Sequence, residues 1–330
     1  GRIAGGRGEA TPEVVRDEAR TARHETGSSG REDLLAQVLA KANMEAAWKR
    51  VKSNRGSAGV DGLSIAETAD YLRAHWPRIR ESILDGSYRP MPVRRVQIPK
   101  PGGGVRELGI PTVTDRLIQQ ALLQVLQPKI DPTFSEHSYG FRPGRRAHDA
   151  VLDAQRFVQD GYRVVVDVDL EKFFDRVNHD ILMERLSRRI DDKAVLRLIR
   201  RHLVAGIMDG GVVVERYEGT PQGGPLSPLL ANVLLDEVDR ELERRGHRFV
   251  RYADDCNVYV RTRRAGERVL AGLRKLYDRL RLKVNETKTA IAPAAGRNFL
   301  GYAFWYARGG QVKCAVAGKA KETFKQRLRS

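Results

Sequence analysis

The sequence predicts an α+β fold in which antiparallel β-hairpins and strands with acidic ends pack against amphipathic helices. Three observations carry that prediction. Arg251-Tyr252-Ala253-Asp254-Asp255 stands between Phe249-Val250 and Val258-Tyr259-Val260, the pattern of a hairpin with adjacent carboxylates at its turn. Val164-Val165-Val166-Asp167-Val168-Asp169-Leu170 is a β-branched run that ends in an acid, so a buried strand delivers Asp169 at its carboxyl end. Stretches of helical periodicity, among them 114–126, 147–158 and 267–282, supply the helices.

An isolated Asp-Asp pair is most often an Asx-rich turn. A strand end beside a hairpin tip changes that weighting, because it brings three carboxylates together. Such a cluster is tolerable where a cation neutralises it, and hard oxygen ligands with open positions suit Mg²⁺. Two such ions about 4 Å apart clamp the attacking and leaving oxygens of a phosphoryl transfer. The constellation therefore predicts a nucleotidyl-transferase palm. Asp167 shares a strand face with Asp169 by the period of two, so spacing leaves both open as ligands.

With 330 residues the chain can bury a full core and hold two or three subdomains. Its 59 Lys and Arg against 42 Asp and Glu give +17, which points to a polyanionic partner, most simply nucleic acid, although a basic soluble protein satisfies the same count. Cys256 and Cys314 cannot build a disulfide framework and match no zinc spacing with the seven histidines. No apolar run approaches the ~20 residues of a membrane span, and the start lacks a signal-peptide pattern. A soluble, cytoplasmic protein with no membrane partner is expected.

Residues 1–31 are Gly, Arg, Glu, Thr and Ser rich and read as a flexible arm. Apolar positions from Leu34 to Val51 predict one helix over 32–51, and Ser64-Ile65-Ala66-Glu67 is a capping box that opens a helix to about residue 84. Residues 93–99 and 105–110 form strands joined by Lys100-Pro101-Gly102-Gly103-Gly104. Cations on this hairpin, Arg94, Arg95, Lys100 and Arg106, are either a solvated edge or, beside a metal site, ligands for a triphosphate.

The loop Ser138-Tyr139-Gly140-Phe141-Arg142-Pro143 interleaves aromatics and arginine. It can stack bases or simply pack on its own rings. Asn178 caps a helix to about 190, and a second helix spans about 194–204. Val212-Val213-Val214 and Tyr217 suggest a short hairpin. Gly219 to Pro228 is a rigid loop opening a helix to about 245, and Gln222 is its amide able to donate and accept. Residues 283–291 read as strand and turn, and 299–307 with 311–316 as a hairpin. Basic residues from Lys319 onward begin another helix.

The ordered blocks Arg106-Glu107-Leu108-Gly109-Ile110-Pro111, Ser138 to Pro143, Asp169 to Asp175, Pro221-Gln222-Gly223-Gly224-Pro225-Leu226-Ser227-Pro228, Tyr252-Ala253-Asp254-Asp255 and Phe299-Leu300-Gly301-Tyr302 give the resemblance. From about residue 32 to 317 the chain resembles bacterial group II intron-encoded reverse transcriptases (maturases). That resemblance implies a right-hand polymerase, with fingers over 32–160, palm over 161–317 with some finger elements interleaved, and the start of a truncated thumb at 318–330. It makes Asp169, Asp254 and Asp255 the catalytic metal-site carboxylates for two Mg²⁺ (Mn²⁺ the alternative), with the Leu170 carbonyl a further ligand. It favours Asp169 over Asp167, because Phe174 then falls at the residue that excludes a 2′-hydroxyl.

The resemblance also implies that Arg94, Lys100 and Arg106 bind the triphosphate and that Gln222 lies near the nucleotide. Lys288 would protonate leaving pyrophosphate. Tyr139, Arg142, Tyr252, Ala253, Phe299, Leu300 and Gly301 would contact primer and template. Implied partners are an RNA template and primer duplex, dNTPs, group II intron RNA, target DNA and a second copy in a homodimer. The expected activity is RNA-directed DNA polymerisation with assistance to splicing and mobility. Alternatives are a CRISPR-associated or phage-defence reverse transcriptase, and an RNA-binding splicing maturase without polymerase activity.

Overall fold

The sheet that delivers Asp169 and Asp254 organises the fold. The computed structural model describes residues 33–99, 104–209, 211–215, 217–220, 222–318, 320–322 and 325, so the expected arm and Lys100 lie outside the described residues. In chain order the elements are α1 (Leu34–Leu39), α2 (Lys41–Ser53), α3 (Ile65–Leu84), β1 (Val93–Pro99), β2 (Val105–Ile110), α4 (Val113–Ile130), α5 (Ala147–Gln159), β3 (Val164–Val168), α6 (His179–Ser187) and α7 (Lys193–Leu203). There follow β4 (Ile207–Asp209), β5 (Val212–Val214), α8 (Ser227–Arg244), β6 (Arg248–Tyr252), β7 (Asp255–Val260), α9 (Arg263–Arg279), β8 (Ala290–Pro293), β9 (Asn298–Phe299), β10 (Tyr302–Tyr306) and β11 (Val312–Val316).

The first expected helix is two helices. Ala40 takes an extended backbone (ψ 137°) between α1 and α2. Asn43 explains the break, since its amide donates to the Val38 carbonyl at 2.9 Å and to the Ala121 carbonyl of α4 at 3.1 Å. A carbonyl left orphaned at a helix end is thereby satisfied and tied to a neighbour. The capping box at Ser64 is present, with the Ser64 hydroxyl accepting from the Glu67 N–H and the Glu67 carboxylate accepting from the Ser64 N–H. Asn178 caps α6 as expected, although that helix stops at Ser187.

Among the described residues the strands form three sheets. The four-stranded sheet β6-β7-β3-β8 is wholly antiparallel and is buried on both faces. Strand alternation assigns its two cores. Val166, Val168, Val258 and Phe249 join the helical core with α4, α6, α8 and α9, while Val165, Val250 and Tyr259 pack against α5, Phe299 and Phe304. Each fully buried side chain of this size contributes roughly 1.5–3 kcal/mol, so neither face can be uncovered cheaply. Gly266 lets α9 approach closely, because a Cβ there would lie 2.9 Å from Ile291 Cγ2.

A second sheet has the order β2-β1-β4-β5, with β4 parallel to β1. The hairpin at 207–214 thus joins the basic hairpin, far from it in sequence. Arg95 locks that junction by pairing with both Glu107 and Asp209. The third sheet is β11-β10-β9. Residues 318, 320–322 and 325 are helical. No helix among the described residues is long and apolar enough to cross a membrane.

Candidate active site

The site is built on the tip of the β6–β7 hairpin, where Tyr252 pairs with Asp255 across the turn Ala253-Asp254. Ala253 has φ +58°, a left-handed backbone that a residue with a Cβ adopts only at a cost. Arg251 holds it there. This guanidinium is fully buried and donates to the Ala253 carbonyl (2.8 Å), to Asn232 Oδ1 (2.9 Å) and to Ser138 Oγ (2.8 Å), while its Nε meets both carboxylate oxygens of the equally buried Asp239 (2.8 and 3.0 Å). Asn232 in turn donates to the Gly140 carbonyl at 2.9 Å. Gly140 has to be glycine, since a Cβ would lie 2.2 Å from the Ala253 nitrogen. Helix α8 and the 138–142 loop therefore clamp the turn.

Asp169 follows β3 and is held by its backbone. Its N–H donates to Thr289 Oγ1 (3.2 Å) and its carbonyl accepts from the Asn285 N–H (2.8 Å). Lys288 Nζ lies 3.5 Å from Asp169 Oδ2. Asp167, one pleat earlier, is taken by Arg297, whose Nε is 2.7 Å from its Oδ2. Spacing left these two acids equivalent; their partners separate them.

Charge accumulates at this end of the sheet. Burial raises the Asp254 pKa, the charge of Asp169 adds to it, and Arg106 opposes it. Asp255 is pushed up to about 7, by burial first and then by Asp167, Asp254 and Asp169, with Arg297 opposing. Four acids at one sheet end, with Asp254 and Asp255 raised by their burial and by the neighbouring carboxylates, call for added positive charge. Their all-oxygen donor chemistry fits a hard divalent cation. Among the described residues the expected ligands do not close on one point, since no three acidic, His or Cys side chains form a ready-made metal cage.

Asp169, Leu170 and Asp254 line an open cleft of about 810 Å³, shared with Arg106, Phe174, Gln222 and Lys288. Asp255 is not among its lining residues and stands behind the tip. Phe174 meets Phe173 edge to face (centroids 5.1 Å apart), and its carbonyl accepts from the Thr220 N–H at 2.7 Å. The Gln222 carbonyl accepts from the Gly109 N–H at 3.0 Å, which ties the 219–228 loop to β2. Phe141, with φ +62° and 43% exposed, lines the same cleft.

Other expected contacts point elsewhere. Arg94 donates to the Ala58 carbonyl at 3.1 and 2.8 Å and does not line the cleft. Arg142 is buried, with its guanidinium on Asp131 and on the Ser135 and Ser138 carbonyls. Tyr139 is buried too, and its hydroxyl donates to Asp153. Of the two readings of that loop, packing on its own rings describes these two residues, because a buried guanidinium must spend its donors on protein acceptors. Phe141 is the ring left for a ligand. Tyr252, Phe299 and Leu300 belong to or pack on the second core, and Ala253 is buried. Leu300 and Gly301 (φ +50° and +85°) form the tight turn between β9 and β10.

Sequence reasoning missed Arg297, Asn285, Thr289 and the Arg251–Asp239 clamp. The signal for the clamp was present: Arg251 sits inside an apolar strand, where it must bury its charge against an acid.

An antiparallel sheet presenting strand-end carboxylates to a cleft roofed by a second, basic hairpin is the fingers-and-palm arrangement of a right-hand polymerase. The chain belongs to the reverse transcriptase (RNA-dependent DNA polymerase) family, whose model matches residues 98–304. It is similar to the Group II intron-encoded protein LtrA of Lactococcus lactis subsp. cremoris, 30% identical over 84% of this chain and 57% of the relative. Protein YkfC of Escherichia coli (strain K12) is 39% identical over 57% of this chain and 50% of the relative. The chain thus spans about half the length of these relatives. A telomerase structure from Candida albicans shares the fold, with a TM-score of 0.51 and 13% identity over 73% of this chain and 48% of the other.

Proposed function

We propose that this chain is the fingers and palm of an RNA-directed DNA polymerase of the group II intron-encoded kind, which extends a primer on an RNA template with dNTPs. The observation that carries the reading is the gathering of Asp169, Asp254 and Asp255 at one sheet end beside a cleft that also holds Arg106, Phe174 and Gln222. Asp169, Asp254, Asp255 and the Leu170 carbonyl would hold Mg²⁺, or Mn²⁺ in its place. Bound metal would supply Lewis acidity and neutralise charge on the transferring phosphoryl group.

The chain's own residues position the reactants. Arg106, exposed at the cleft wall, binds the triphosphate, and Gln222 orients the nucleotide. The Phe174 ring fills the space a 2′-hydroxyl would need. The primer 3′-hydroxyl gives its proton to water as its oxygen bonds to the α-phosphorus and the bond to pyrophosphate breaks, and Lys288, beside Asp169, gives the leaving group a proton. Fingers over 32–160 and palm over 161–317, with 207–214 returned to the fingers sheet, describe the division of labour. Assistance to intron RNA splicing and mobility rests on the similarity to LtrA.

Primer extension on an RNA template with dNTPs and Mg²⁺ tests this reading. Wild type should extend, and Asp254→Asn should extend on the order of a thousandfold more slowly. Equal extension by the two, or a folded wild type that binds RNA and extends nothing, overturns it, the second outcome in favour of a splicing cofactor.

A further inference from the structure

The far end of the same sheet carries charge that this chemistry does not use. Arg163 precedes β3, Arg248 opens β6 and Arg261 follows β7, all opposite the acids, and Arg268 of α9 stands beside them. At ~3.3 Å per residue the five-residue β3 separates the two ends by roughly 17 Å. A cleft of about 400 Å³ opens at the basic end, and no Asp or Glu is among its lining residues.

These four arginines are exposed, and among the described residues none of them has a carboxylate within salt-bridge distance. Arg261 lies over the Tyr162 ring (4.6 Å) and Arg163 over Tyr306 (5.0 Å). Arg261 and Arg248 together lower the Tyr162 pKa. Arg264 adds charge in the first turn of α9, where Arg263 is paired with Glu267 one turn on.

The groove between α6 and α8 provides an internal control. There Arg185 pairs with Glu237, Arg188 with Glu184, Arg189 with Asp236 and Arg244 with Glu241. At the sheet pole Arg245 pairs with Glu241 and Arg263 with Glu267, whereas among the described residues Arg163, Arg248, Arg261 and Arg268 pair with no acid.

We propose that this pole is a second nucleic-acid site, which holds the phosphodiester backbone of a strand lying outside the catalytic cleft. Guanidinium forks fit phosphate oxygens bidentately, and the Tyr162 ring offers a face for a base. Uncompensated like charges cost folding energy through self-repulsion, and a polyanion removes that cost. The inference rests on the polymerase reading only in making nucleic acid the polyanion at hand.

The test is the full chain carrying Arg248→Gln, Arg261→Gln and Arg268→Gln together. Binding of a labelled RNA hairpin and of duplex DNA is measured across salt concentrations, beside extension of a short primer–template. RNA or DNA affinity should fall on the order of tenfold at ~0.1 M salt, and the slope of log K against log salt should fall by about 2. Extension should stay within error, the melting temperature should hold or rise as self-repulsion is relieved, and the nucleic acid showing the larger loss is the natural occupant. Unchanged affinity and slope for both overturn the site. Extension lost in step with binding overturns it too, by putting these arginines on the path of the cleft's own duplex. An equal loss for a polyglutamate peptide reassigns the patch to an acidic protein. The polymerase reading fails by a separate route, Asp254→Asn extending normally, which these substitutions do not touch.

Discussion

The two ends of the β6-β7-β3-β8 sheet differ in how charge is left. One end gathers Asp167, Asp169, Asp254 and Asp255 against Arg106, Lys288 and Arg297; the other gathers Arg163, Arg248, Arg261 and Arg268, which among the described residues have no carboxylate within salt-bridge distance. Between them, Arg251 and Asp239 are wholly buried and wholly matched. Apart from the matched Arg251 and the buried Asn257, the covered faces of the sheet are apolar, so unmatched charge is carried where strands end and water or a ligand arrives. In this sheet the matched pair Arg251–Asp239 holds a turn, and the unmatched charge stands at the strand ends.

The largest expected effect separates those two uses. Asp254→Asn should abolish extension, on the order of a thousandfold, yet leave the melting temperature unchanged or raised, because a desolvated acid next to like charges is removed. A melting temperature that falls with activity would break the distinction. Arg251→Leu should do the reverse, costing about 3–5 kcal/mol in denaturant unfolding by stranding Asp239 in the core, with Arg251→Lys recovering part of it. Activity lost without any stability change would make Arg251 a ligand residue.

Phe174→Ala sharpens the account of the acidic end. Ribonucleotide incorporation should rise on the order of tenfold relative to deoxynucleotides, with template binding unchanged; unaltered sugar selectivity in competition assays removes Phe174 from that role.

The last effect lies away from both ends and is absent at neutral pH. Burial pushes His202 down to about 3, so the stability of its neutral form is complete above pH ~6.5 and is lost as pH falls toward 3. Asp115, 4.0 Å away and pushed up to about 6 by burial, works in the opposite direction, losing stability as pH rises through 6. His202→Gln should therefore gain on wild type by up to about 1.4 kcal/mol per pH unit below 6.5. Parallel stability curves would refute the assignment, and extension at neutral pH should not change.

Much of this was legible in the chain. The β-branched run before Asp169 and the two-residue turn before Asp255 specify strands by local pattern, and the Ser64 and Asn178 caps are short-range hydrogen bonds that residue type announces. The fate of Arg142 was not legible, because an arginine among aromatics reads alike whether it faces a phosphate or Asp131. Nor was Arg94, whose acceptor Ala58 lies 36 positions away. Nor did residue type announce that Phe141 lines the cleft while Gly140 beside it packs against the Ala253 backbone.

The sequence by itself determined the acids and their strand-end positions, which follow from strand alternation and turn spacing between near neighbours, and it carries the blocks by which the chain resembles its family. The tertiary structure alone decided which cations reach which acids: Lys288 to Asp169, Arg297 to Asp167 and Arg251 to Asp239. It also decided that the arginines at 163, 248, 261 and 268 share one pole, where among the described residues none has a carboxylate within salt-bridge distance. Charge pairing acts over a few ångströms in space and is blind to chain distance, so only the packed sheet, which brings distant strand ends together, could assign it.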